Sequence, residues 1–441
     1  MNIHQAYPPI APLPTPWQPV QARQWLTDQR LVTFIIVASV GYQAVLCLIN
    51  NFVMPASRPL VGLAEAIILC ACAPLLARRL LPGVVALACV AGAMLCLVGL
   101  LNEQLNIKAF RDIAIPLCYF WLGCNIGKPE MADRAIKVAI YVVITLGMFE
   151  LLFVDRYTEL FDIFSYYVNI GSLLPVTDYV RESKLQFNGI RPEGIGRTLL
   201  PGLLGPHRVS SVFLEPVSLG NFATLCAAWG IARDKHEWRK GVFFVGAAIF
   251  MMVLSDSRFA LMTVSLFFAL RIFLQGKLIN FAVIAPFAAV GMLVLVGLST
   301  TNNFSGLVND NLSGRLAYSG WSLMEFDLPM LLATNIHDSY PDEGYAHMLS
   351  TFGLPLCMLF WFTLWLLPMP TAQSARFRAL ASVYIALILC ISGSSFFALK
   401  SAGLLWFLVG CCVLNPAPQP QRPSLGHNAL PGGHHGSQRA N

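Results

Sequence analysis

The sequence is poor in charge. Of 441 residues only 12% are Asp, Glu, Lys or Arg, against 56% hydrophobic. A soluble domain of this length carries about 25% charged residues, so a water-soluble globule is excluded. The mean hydropathy of +0.64 points the same way. The alternating pattern of short strands that marks an outer-membrane barrel is missing as well. No Walker loop, HExxH, GxSxG or CxxC framework occurs, so ATP hydrolysis, zinc chemistry and serine hydrolysis have no support. The two long polar stretches lack cysteine: all twelve cysteines lie in or beside apolar runs. They read as packing thiols, not as disulfides or metal ligands.

Long apolar runs are what the chain does have. Twelve, near 31–53, 60–77, 82–101, 112–127, 136–154, 211–232, 241–255, 259–275, 278–298, 344–368, 379–396 and 399–414, are about long enough to cross a bilayer. The expected fold class is all-α, a polytopic transmembrane helix bundle of about twelve spans. Residues 1–30 read as a Pro-rich disordered cytoplasmic arm and 415–441 as a disordered cytoplasmic tail. Residues 31–414 form the membrane domain. The first run follows Arg23 and Arg30, as in an uncleaved signal-anchor.

Sidedness follows from the basic residues. Arg78, Arg79, Lys128, Arg134, Lys137, Arg233, Lys235, Arg239, Lys240, Arg271, Lys277, Arg376 and Arg378 fall on the side of both termini. That side is expected to be cytoplasmic. The long loops 155–210 and 299–343 are then periplasmic. The first has five basic residues from Arg181 to Arg208 (Arg181, Lys184, Arg191, Arg197, Arg208) against two acidic, Glu182 and Glu193. The second carries Arg315 against six acidic residues: Asp310, Glu325, Asp327, Asp338, Asp342 and Glu343. Arginines on the outer face break the orientation bias and need another reason. Anion binding is the obvious one.

Arg208 to Pro216 opens the sixth run. On a helix, Arg208 and Glu215 would share one face and line one cavity. A carboxylate at that depth is either a structural ion pair or a chemical group. The stretch Ser255-Asp256-Ser257-Arg258 is expected as a tight turn that sets Arg258 level with Arg208. Trp321 to Leu332 is expected as a short helix on the membrane surface. His337, Asp338, Asp342, Glu343 and His347 crowd the entry to the tenth run, a composition suited to proton transfer. Glu65 and Glu150 read as structural carboxylates.

These elements resemble the bacterial O-antigen polymerase and ligase superfamily, the Wzy-type polysaccharide polymerases. The resemblance rests on Arg208 with Glu215-Pro216, the Ser255–Arg258 turn, Gly314-Arg315 with Trp321, and Asp342-Glu343-Gly344-Tyr345 followed by Gly353. It spans about Arg191 to Phe360, and Gly189 to Asn221 is similar to the exopolysaccharide polymerases of xanthan-type gum systems. The resemblance implies a metal- and cofactor-independent glycosyltransferase of the bacterial inner membrane. Its donor would be an undecaprenyl-diphosphate-linked oligosaccharide. Its partners would be the lipid bilayer, a flippase and a chain-length regulator, with no nucleic acid. Arg208 would bind the diphosphate, with Arg258, Arg315, Arg191 and Arg197 as further cations. The base would be Asp342, His347 or His337, with Glu215 as a further candidate. Related ligases have a histidine where Asp342 stands, which separates this chain from them. An O-antigen ligase and a transporter or flippase of lipid-linked glycans are the alternatives.

Overall fold

A computed structural model of the protein describes residues 19–126, 129–173, 197–273, 276–300, 312–334, 340 and 343–413. The arm before Pro19, the tail, and parts of both long loops lie outside them, and so do Arg191, His337 and Asp342. Among the described residues all regular structure is helical. Thirteen helices carry the architecture: α1 (Pro19–Phe52), α2 (Arg58–Leu76), α3 (Pro82–Leu101), α4 (Ile107–Ile126), α5 (Pro129–Leu152), α6 (Pro216–Ile231), α7 (Trp238–Ser255), α8 (Arg258–Phe273), α9 (Ala285–Thr300), α10 (Leu312–Met324), α11 (Gly344–Leu366), α12 (Ala372–Ile388) and α13 (Leu399–Cys412).

Each of the twelve apolar runs falls on a helix. Seven helical segments are long and apolar enough to cross a membrane: those containing α1, α2, α3, α5, α7, α9 and α11. The others are shorter or more polar. α13, with 14 residues, is about 21 Å long, short of a ~30 Å hydrocarbon layer. Its burial explains this. α6 and α13 are enclosed by protein along almost their whole length, so lipid does not dictate their span.

The core is built by close helix approach. α4 crosses α13 at Gly123 and Gly410, where a side chain would overlap the backbone of the facing helix. α9 meets α10 in the same way at Gly297 and Gly320. Small residues at crossings are how helices gain contact where lipid supplies little hydrophobic drive. The α9–α10 contact corrects one expectation. In place of one helix over Trp321 to Leu332, a helix runs from Leu312 to Met324 and packs on α9 through Gly320, and a short turn follows at Leu328–Leu331.

The two ends of the bundle differ. At one end Arg78 pairs with Asp28, Arg233 with Asp133 and Arg376 with Asp234, while Arg134 donates to Gln29. Four of the basic residues assigned to one side by sequence thus lie at this end. At the other end, the start of loop 155–210 is not a free polar strand. It forms two short helices, Val154–Leu160 and Ile163–Asn169, whose Tyr157, Tyr166 and Tyr167 enter the core. Arg58 holds their end by donating to Ile170 O and Gly171 O.

Candidate functional site

The basic loop returns to the bundle at Arg197 and is fastened there. Glu150, buried near the end of α5, accepts from Ser210 N at 2.9 Å, Ser211 N at 2.5 Å and Ser210 Oγ at 3.0 Å. His207 Nε2 lies 2.9 Å from the same carboxylate. A buried carboxylate with this many donors is stabilised where it stands. Glu150 is therefore the peg for residues 207–211.

The second fastening is the turn between α7 and α8. Asp256 takes a left-handed conformation (φ 48°) and is fully buried. Its carboxylate accepts from Thr198 N at 3.0 Å and Leu199 N at 2.8 Å. Arg197 donates to Leu199 O, His207 O, Leu254 O and Val253 O. Its guanidinium is buried and spent on backbone carbonyls, a scaffold duty in place of the anion contact expected. Val209 N donates to Leu254 O at 3.0 Å.

This knot brings two other arginines to one corner. Arg208, half-buried, donates from Nε to Ser255 O at 3.2 Å. Arg258, exposed at the first position of α8, donates from Nε to Thr198 Oγ1 at 3.1 Å. Arg208 is thus tied to the start of the 255–258 turn, and Arg258 closes it. Arg315 is exposed on α10, whose main packing partners are α9 and α11.

Residues 208–215 form no α-helix, so the shared helix face expected for Arg208 and Glu215 does not exist. Ser211–Phe213 form one 3₁₀ turn, and Leu214 is left-handed (φ 59°). Glu215 is extended and α6 starts at Pro216. Proline at the first helical position loses no hydrogen bond, because that N–H has no partner within the helix. The turn aims Glu215 inward. Its carboxylate accepts from Lys400 Nζ at 2.8 Å, Tyr167 OH at 2.8 Å and Ser218 Oγ at 2.7 Å. Burial, with the Glu215 carboxylate beside it, pushes the Tyr167 phenol well up, so it stays a donor. Lys400 also donates to Gln43 Oε1 at 2.8 Å.

Sequence reasoning missed Lys400. A lysine at the head of an apolar run signals a buried partner. Nothing in the pattern says which carboxylate that is.

His347 lies one turn into α11. Its ring packs edge-on to Phe397 with centroids 6.3 Å apart, and Gly393 lies against its Cβ. The segment 393–400 therefore touches His347 at one end and Glu215 at the other. Gly344 presses on the backbone of Leu389, and Tyr345 N donates to Leu389 O at 3.1 Å, which fixes the entry of α11 on α12. Glu343 stands at the position before that entry without a side-chain cap bond, its Oε2 buried and lacking a hydrogen-bond partner among the described residues. Beyond His347, α11 breaks at Gly353 (φ 72°), two residues before Pro355.

An apolar cavity of about 70 Å³ lies under this entry, lined by Ile113, Met348, Phe352, Trp361, Phe397 and Trp406 among others. Beside it Glu65 accepts from Tyr42 OH and Arg111, and Arg111 also grips Asp112. Glu65 and Glu150 are each engaged by donors from other elements.

Compared with protein-family models, curated proteins and solved structures, the chain matches none.

Proposed function

We propose that the chain is a polysaccharide polymerase of the bacterial inner membrane, joining undecaprenyl-diphosphate-linked repeat units on the periplasmic face. The carrying observation is that Arg208 donates to Ser255 O while Arg258 leaves the same turn at the start of α8 and donates to Thr198 Oγ1. In this reading the chain crosses about twelve times with both termini cytoplasmic. The end tied by Arg78, Arg233 and Arg376 faces the cytoplasm, and the arginine corner faces out.

The chemistry follows from the parts. The bond from the donor sugar's anomeric carbon to its phosphate oxygen breaks, and the electron pair leaves with the polyprenyl diphosphate. The acceptor hydroxyl oxygen bonds to that carbon, and its proton passes to a base. Arg208 and Arg258 stabilise the diphosphate charge without a metal, because their positions are fixed before reaction. The base comes from the 337–347 cluster. Asp342 is the first choice, and His347 or His337 the others. Glu215 is engaged by Lys400, Tyr167 and Ser218 and holds the floor of the site. The polyprenyl tail lies among helices open to lipid.

The test is polymerisation by the purified chain with lipid-linked repeat units. Chain growth that stops with Arg208→Ala supports the reading, and growth on lipid A-core in place of a repeat unit marks a ligase. One observation favours a different class. The break of α11 at Gly353 is the kind of discontinuous helix that carriers use. Flipping of labelled lipid-linked repeats across proteoliposomes without chain growth identifies a flippase.

A further inference from the structure

Where α5 and α7 begin, at the basic end of the bundle, the carboxylates are already matched. Asp133 and Glu237 are taken by Arg233 and Lys240, and Asp234 by Arg376. Two further cations stand beside them on aromatic rings instead. The half-buried Lys137 ammonium lies 5.3 Å from the centre of the Phe243 ring, and the exposed Arg239 guanidinium lies 5.8 Å from that of Trp238. Among the described residues neither forms an ion pair. A cation over a ring face keeps its outer N–H groups directed away from the ring, toward the surface.

The two cations head one seam. α5 and α7 run side by side from this end, and the Tyr141 and Phe243 rings touch with centroids 6.1 Å apart. Lys137 precedes Tyr141 by four residues and Arg239 precedes Phe243 by four, so each cation shares a helix face with one ring of that pair. Trp238 and Tyr141 are 60% and 59% exposed, amphipathic rings of the kind that settle at the headgroup level. Beyond the pair the seam is apolar and open. Val142, Val242, Ile249 and Phe250 are exposed, and a side chain at Gly246 would meet nothing within 4 Å. A surface that is cationic and aromatic at its head and apolar below is complementary to a lipid whose phosphate carries net negative charge. A zwitterionic head would bring its own ammonium against Lys137 and Arg239.

We propose that the α5–α7 seam binds one anionic glycerophospholipid, with the phosphate on Lys137 and Arg239 and an acyl chain along Gly246. The site is independent of the polymerase reading. The probe is phosphatidylglycerol, titrated against phosphatidylcholine of the same chains onto the full-length protein in detergent and read by native mass spectrometry. The wild type should retain one phosphatidylglycerol about ten-fold more tightly than phosphatidylcholine, as two cations at a lipid surface provide. Lys137→Gln combined with Arg239→Gln should bring the two lipids level. Gly246→Leu, which fills the seam, should lower retention of both, and leucine forms helix more readily than glycine, so α7 survives the change. Lys108→Gln, exposed at the start of α4 and at the opposite end of the bundle, should change neither. Equal retention of the two lipids by the wild type overturns the proposal. So does a preference that survives the double variant, or undiminished retention in Gly246→Leu. A preference lost equally in Lys108→Gln would belong to net charge instead of the seam, and overturns it as well.

Discussion

Lys400 and Glu215, 185 positions apart in the chain, meet at 2.8 Å inside the bundle. Lys400 keeps 6% of its side-chain exposure and Glu215 keeps 32%. Removing one charge of a buried pair strands the other. Lys400→Met should cost about 3 kcal/mol, at the low end of such losses because Glu215 is not fully enclosed. The double variant Lys400→Met with Glu215→Leu should recover most of it. Thermal unfolding of the four proteins in detergent measures the cycle. Single effects that simply add in the double variant would show that the pair contributes nothing.

Arg208 and Arg197 should separate function from scaffold. Arg208→Lys keeps the charge but loses the planar fork, and Arg208→Ala loses both. Polymer yield at equal protein level should fall about ten-fold for the first and about a hundred-fold for the second. The melting temperature should hardly change. Arg197→Lys should do the reverse at the first step, lowering the melting temperature because four carbonyls lose their shared donor. An Arg208→Ala protein with normal yield would remove this residue from the donor site.

Glu150→Gln keeps the shape of the peg and removes its charge. Hydrogen bonds to a charged acceptor contribute about 1.5–3 kcal/mol each, and this carboxylate holds several. Residues 197–211 should become cleavable by added protease, and activity should fall with the same dose of protease that leaves the wild type intact. Equal protection in both proteins would show that the loop is held elsewhere.

The sidedness is open to direct labelling. Ser172 and Glu130 are exposed and lie at opposite ends of the bundle. In a background without other reactive cysteines, Ser172→Cys should react with an impermeant thiol reagent from outside intact cells. Glu130→Cys should react only after permeabilisation. The opposite pattern would put the arginine corner in the cytoplasm and end the polymerase reading.

Much of the scaffold was legible. The run 82–101 is α3 to the residue, and proline at its first position marks the start. The run at 344 begins with α11, directly after Glu343. The candidate site was legible in part. The turn at Asp256 follows from four polar residues between two apolar runs. The path from Arg208 to Glu215 was not. A helical reading places these residues on one face, whereas Leu214 bends the chain through a left-handed conformation. Leucine gives no local signal for that, and the bend is imposed by Glu150 on one side and Lys400 on the other. Those contacts join elements far apart in sequence, which no periodicity records.

The crossing of α4 and α13 at Gly123 and Gly410 also has a bearing on how the protein is made. α4 leaves the ribosome long before α13. Until α13 arrives, the face of α4 around Gly123 has no helix to receive it, and Glu215 waits without its lysine. α13 thus closes the seam late in biosynthesis: a chain released before Leu399 carries an open crossing at Gly123 and a Glu215 without its lysine.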